Sequence, residues 1–124
     1  TYGKSLGQVS VLTYGEIAED LLLETANYGA EKVLVCRTLK ERNEQVLSKL
    51  IVKAVNETNA EYVVLSQDQT GKAIGPRVAA NLEAGHVSGA ISIPDLSDGC
   101  TVKTNVFSGK AIAYVKVHSE KKVI

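Results

Sequence analysis

Apolar and polar positions follow two rhythms along this chain, and the change between them falls near Gly85. Before it, short apolar runs alternate with stretches at helical spacing. Val9 to Thr13 is rich in β-formers and ends at Tyr14-Gly15, which predicts a strand and a turn. From Glu16 to Tyr28, Ile17, Leu21, Leu22 and Thr25 recur at helical spacing, acids open the segment and Gly29 follows it, so a helix is expected. Lys32 to Cys36 is a continuous apolar run, as in a strand covered on both faces. Glu41 to Thr58 carries the clearest helical stripe, Val46, Leu47, Leu50, Ile51, Ala54 and Val55, with Lys49 and Lys53 outside it. Tyr62 to Leu65 predicts a third strand.

That strand leads into the most informative stretch. Its apolar run stops at Ser66-Gln67-Asp68-Gln69, passes Thr70-Gly71-Lys72, and gives way to Ile74, Val78, Ala79 and Leu82 at helical spacing. This reads as strand, polar loop, helix. In an open parallel sheet, ligands sit at the loops leaving the carboxyl ends of the strands. Pro76 has no N–H to donate, so it is expected in the first turn of the helix or at an irregular entry. After Gly85, Val87 to Ile93, Thr101 to Asn105 and Lys110 to His118 alternate with a period of two, separated by turn signals at Pro94-Asp95, Asp98-Gly99 and Ser108-Gly109. No helical stretch intervenes, so these strands are expected to be antiparallel. The pattern predicts an α/β fold of three layers, α/β/α, with a mainly parallel sheet and a C-terminal antiparallel extension, in one domain over residues 1–124. Such a sheet normally opens with a strand before Val9. Only Thr1 to Gly7 stands there, so the first strand is expected to be missing, and position 1 is not Met.

Composition narrows the function classes. Apolar residues make up 44% and charged ones 23%, ordinary for a globular domain and too apolar for disorder. Fourteen basic residues balance fourteen acidic ones, so no overall field draws nucleic acid or an anionic membrane. No apolar run is long enough to span a bilayer. Cys36 and Cys100 are two isolated cysteines and do not make a disulfide framework, which favours a reducing compartment.

The candidate chemistry concentrates in the loop. Thr70-Gly71-Lys72 is like the end of a phosphate-binding loop, but Ser66 stands where that motif needs glycine and Ala73 where it needs a hydroxyl. What remains is an anion or nucleotide site built from Thr70, Gly71 and Lys72 at a helix N-terminus, against the plainer alternative of a tight-turn glycine and a solvated lysine. Gly71 and Gly75 imply close packing. Arg77, beside Pro76, faces away from Val78 and Ala79 and is available to a partner surface or to Asp68. Lys72, Pro76 and Arg77 are therefore the partner-interface candidates. His86-Val87-Ser88 and His118-Ser119 supply nucleophile and base types, yet adjacent strand residues point to opposite faces and no acid is placed to orient an imidazole. Cys36, His86, Cys100 and His118 lack the short ligand pairs of a zinc motif. No catalytic residue and no metal ligand is assigned.

Four stretches in order carry a family resemblance. They are Tyr28 to Val35, Thr70 to Leu82, Gly85 to Ser88, and Phe107 to Ala113. Together they resemble the amino-terminal domain of the electron transfer flavoprotein alpha subunit, over most of the chain from about Val9 onward. The resemblance implies a Rossmann-like fold related to adenine nucleotide alpha hydrolases, serving as a non-catalytic scaffold. It implies a beta-subunit partner in a heterodimer that carries electrons from flavin dehydrogenases to the respiratory chain, as in fatty acid beta-oxidation, in the cytoplasm or a mitochondrial matrix. In that family FAD is held mainly by a carboxy-terminal domain of the alpha subunit, and nothing here resembles that segment, so no cofactor is expected for this chain alone. Gly89 stands where the family commonly has an acid, and Ser66 to Thr70 lacks the acidic nucleotide-contacting pattern of the beta subunit, which tells against an inherited AMP site. The alternative is a free-standing adenine-nucleotide-binding module resembling universal stress proteins.

Overall fold

The computed structural model describes residues 2–41 and 43–124. They divide into two compact units, Thr1–Asn43 and Glu44–Ile124. The first is a βαβ unit. After a 3-10 turn at Gly3–Ser5 come β1 (Val9–Tyr14), α1 (Glu19–Asn27) and β2 (Ala30–Cys36). β1 and β2 pair in parallel, with Leu12 opposite Leu34 and Tyr14 opposite Cys36. The helix starts later than the apolar spacing suggests, because Ala18 is still extended when Glu19 and Asp20 open the first turn. Gly29, at φ +96°, ends it and turns the chain into β2. Of the expected stripe, Ile17, Leu22 and Thr25 are partly covered while Leu21 is exposed.

The second unit holds α2 (Glu44–Thr58), β3 (Tyr62–Val63), α3 (Gln69–Leu82), β4 (Gly85–His86), β5 (Cys100–Val106), β6 (Ala111–Val117) and β7 (Lys122–Val123). The second helix begins at Glu44 and not at the expected Glu41, which is a bend; Arg42 lies outside the described residues. Leu47, Ile51 and Val55 are buried as the stripe predicts, whereas Val46 is exposed. α2 packs on α3, α3 packs on β4 and β7, and Ile74, Val78 and Ala79 of α3 are buried.

Two expectations are corrected here. Val87 to Ile93 is not a continuous antiparallel strand. Gly85–His86 is a short parallel strand, and beyond it the ladder to β5 is reduced to isolated bridges, Ala90 with Thr104 and Asp95 with Thr101. Gly89, at φ +75°, breaks the extended run. The second correction is β7, which the alternation does not reveal. It lies between β3 and β4, parallel to both. β5 and β6 form the expected antiparallel pair, from Cys100 opposite Val117 to Val106 opposite Ala111. Parallel pairings, three helices and this antiparallel pair make a mixed α/β fold of Rossmann-like kind. Val87, Cys100, Val102, Val117 and Ile124 form one buried cluster, with Tyr62 and Ala90 packed against it.

Candidate functional site

β7 positions the candidate site. The Ile124 carbonyl accepts from Leu65 N at 2.8 Å and the Val123 carbonyl from Val87 N at 2.9 Å. One short strand thus fixes where the chain leaves both β3 and β4, and brings the Ser66–Thr70 loop beside residues 87–89.

The two loops are then joined by Gln67. Its Oε1 accepts from Gly89 N at 3.2 Å, and the Ser88 hydroxyl lies 3.2–3.3 Å from both ends of its amide. Thr104 on β5 donates to the Ser88 carbonyl at 2.9 Å, which ties the same turn to the hairpin. A Cβ on residue 89 would lie 3.3 Å from Gln67 Nε2 and 3.4 Å from Thr104 Oγ1, at a positive φ. Glycine therefore lets Gln67 close over the turn. A side-chain acid at this position would need a different backbone.

The start of α3 is satisfied from within. Asp68 is its N-cap: Oδ1 accepts from Gly71 N at 2.8 Å and Oδ2 from the Ser66 hydroxyl at 2.9 Å. A Cβ on Gly71 would fall 1.8 Å from the Ser66 carbonyl oxygen, so loop and helix meet backbone to backbone. Gly75 makes the second close approach. The His86 ring lies over it, with Cε1 2.9 Å from where a Cβ would sit, and Nδ1 donates to the Val123 carbonyl at 3.1 Å. That bond places the proton on Nδ1. His86 is a packing and bridging residue, and Ser88 is held by Gln67.

Of the anion candidates, Thr70 is half-buried, Gly71 is buried, and Lys72 is exposed with its backbone N–H on the Asp68 carbonyl at 3.0 Å. Pro76 lies inside α3, one turn beyond Lys72, which corrects the expectation of a first-turn or irregular position. Its missing N–H leaves the Lys72 carbonyl without its i+4 donor, and that face of the helix is exposed. Arg77 is exposed too, while Asp68, offered as its partner, is engaged at the cap about nine residues or ~13 Å of helix away. Lys72, Pro76 and Arg77 are all exposed.

Gln67, Ser88 and Thr104 were not legible as a set, since the bonds among them cross 16 to 22 positions. The available signal was Gly89 in a run of β-formers. Among the described residues no group of three or more His, Cys, Asp or Glu is placed to hold a metal, and no helix is long and apolar enough to cross a membrane.

A family model described as the electron transfer flavoprotein domain matches residues 1–124. The chain belongs to the electron transfer flavoprotein domain family. It is similar to the electron transfer flavoprotein subunit alpha of Bacillus subtilis, 28% identical over 88% of this chain and 34% of that protein. It is 30% identical to the subunit alpha of Syntrophomonas wolfei, over 91% of this chain and 36% of the relative. The acryloyl-CoA reductase electron transfer subunit beta of Anaerotignum propionicum is 33% identical over 57% of this chain and 20% of its own length. The chain thus spans about a third of the length of the alpha-subunit relatives.

Proposed function

We propose that this chain is the partner-binding, non-catalytic amino-terminal region of an electron transfer flavoprotein alpha subunit. It works within a complex that carries electrons from flavin dehydrogenases towards the respiratory chain, and its partner is a beta subunit. Family membership over residues 1–124 supports the assignment, and the observation that carries the partner-binding role is β6. Among the described residues it pairs only with β5, so its other edge offers unpaired backbone groups along Ala111–Val117. Ile112 and Tyr114 are 54% and 64% exposed. A long apolar edge of this kind associates unless something covers it. Lys72, Pro76 and Arg77 of α3 are exposed and form a second contact surface on this reading.

Among the described residues, the start of α3 does not fit a flavin or an adenine dinucleotide. The amide that would meet a pyrophosphate at the α3 N-terminus is held by Asp68, and Gln67 bridges the two loops that would have to part. We therefore assign FAD to a region of the alpha subunit outside residues 1–124.

The test is co-purification of the full natural chain with its beta subunit. Val115→Asp on β6 is expected to weaken the complex about tenfold or more, and the pair Lys72→Ala, Arg77→Ala to weaken it less. Unchanged affinity in the β6 variant overturns β6 as the carrying contact. Calorimetric titration of residues 1–124 with FAD, AMP and ATP separates the other reading: tight AMP or ATP binding lost in Lys72→Ala favours a nucleotide-binding module.

A further inference from the structure

At the amino ends of β3 and β7, away from the loops just described, the second unit holds an open cavity of about 320 Å³. That is the lower end of the range for small-molecule sites. Its polar lining is one-sided. Lys116 and Lys122 contribute to the wall, and no aspartate or glutamate does. In a chain whose acids and bases balance, this is a local cationic excess.

The lysines are held differently. Lys122 Nζ sits 5.0 Å from the centroid of the Tyr62 ring and donates to the Glu120 carbonyl at 2.8 Å. An ammonium has three donors, so this contact leaves others available. Lys116 donates to Asp98 at 2.6 Å, but Asp98 is 93% exposed and the pair is solvent-screened, so it yields readily to a competing anion. The Ser119 hydroxyl is committed to Gly85 N and the Lys121 carbonyl. Tyr62 packs against the buried cluster that holds Cys100. With Leu96 and Val117 these two residues add an aromatic and apolar surface to the cationic wall.

We propose that this cavity binds a small organic carboxylate with a flat, unsaturated or aromatic body, its carboxylate taken by Lys122 within the field of Lys116 and its body resting on Tyr62, Leu96 and Val117. The geometry favours this class over a bare inorganic anion, because half of the lining offers nothing to a phosphate. The proposal does not rest on the partner-binding reading. Lys116 and Val117 stand at the end of β6, so the site is tested on the chain without a beta subunit.

Benzoate is the probe, with acetate and inorganic phosphate beside it, titrated into the full natural chain and followed by amide shifts of Gly99, His118 and Ser119 in two-dimensional NMR. Saturating benzoate shifts with a Kd of about 1 mM are expected, and Lys122→Gln should raise that Kd about tenfold. Lys122→Arg keeps the charge and should retain binding, which also covers a Lys122→Gln chain that folds poorly. Lys53→Gln, on the outer face of α2, should change nothing. Absence of saturation at tens of millimolar benzoate overturns the proposal. So does unchanged affinity in a folded Lys122→Gln chain, or loss in Lys122→Arg. Equal affinity for phosphate, acetate and benzoate would mean a cationic surface without a site for the organic body, and overturns it as well.

Discussion

Substituting Gly71 by alanine sets two opposite effects against each other. On an open helix, Gly→Ala stabilises by about 1 kcal/mol, because alanine loses less backbone entropy. Gly71 is the third residue of α3, where that gain would ordinarily appear. Here the new methyl would start 1.8 Å from the Ser66 carbonyl oxygen and 3.0 Å from its carbon, so the loop must retreat by more than an ångström. The obstacle is backbone on both sides, which no rotamer change relieves. Overpacking of this kind costs about 1–3 kcal/mol, and moving Ser66 also pulls on Asp68, whose cap contributes about 1 kcal/mol. The net expectation is a loss of about 2 kcal/mol. In urea melts followed by far-UV circular dichroism, that is a midpoint lower by about 1 M for an ordinary denaturant slope. Gly75→Ala is the internal control. Its methyl meets the His86 ring, a side chain that can turn aside, so the helical gain should offset most of the strain and leave stability within about 1 kcal/mol of the parent. A Gly71→Ala chain at or above parental stability would refute the backbone-contact argument. So would a Gly75→Ala chain as damaged as Gly71→Ala.

Gln67→Ala should leave global stability within about 1 kcal/mol, since its bonds are exposed, yet speed hydrogen exchange at the Gly89 amide. Unchanged exchange would mean that Gln67 does not hold the turn. Phe107→Asn should stabilise by about 0.5–1 kcal/mol: Phe107 and Ser108 both have positive φ, as a type I′ turn requires, asparagine tolerates that conformation better, and Phe107 is 81% exposed. A lower thermal midpoint would show that Phe107 has a packing role. Cys100 is 1% exposed and burial pushes its thiol pKa up, so a thiol reagent should modify Cys36 first and reach Cys100 only on unfolding. Because the folded pKa is raised, the stabilisation linked to Cys100 is intact below the ordinary thiol range and is lost as pH rises through the folded value. Urea midpoints compared between neutral and alkaline pH, with Cys100→Ala alongside, check the sign.

Where a signal was local, the sequence carried it. The stripe Leu47, Ile51, Val55 and the spacing Ile74, Val78, Ala79 are determined by neighbours three and four positions apart, and all are buried. The hairpin of β5 and β6 was visible through its period of two and its turn. Long-range pairing was not. Lys122-Val123 is too short to show a period, and its place between β3 and β4 depends on partners some 37 to 60 positions away. Val87 to Ile93 looked like a strand because alternation alone cannot show that Gly89 takes a positive φ to meet Gln67. Pro76 shows how tertiary context overrides propensity: the buried Ile74, Val78 and Ala79 hold α3 continuous past a residue that locally disfavours it. The candidate site was legible as a place, the loop after β3, while the bonds organising it were not.

The position of β7 has a consequence for how the second unit comes into being. β3 and β4 are not paired with each other; each is hydrogen-bonded to residues 122–124. During synthesis α2, α3 and the hairpin can form as they emerge, but the parallel sheet has no central strand until residue 124 is made. Its closure is a late, long-range event, of the class that slows folding and prolongs exposure of unpaired edges. Val123, wholly buried once in place, would then act as the latch of the unit. A nascent chain stalled before Lys122 should hold the helices and the β5–β6 hairpin without the parallel sheet, and it is in that interval that the unit would most need a chaperone.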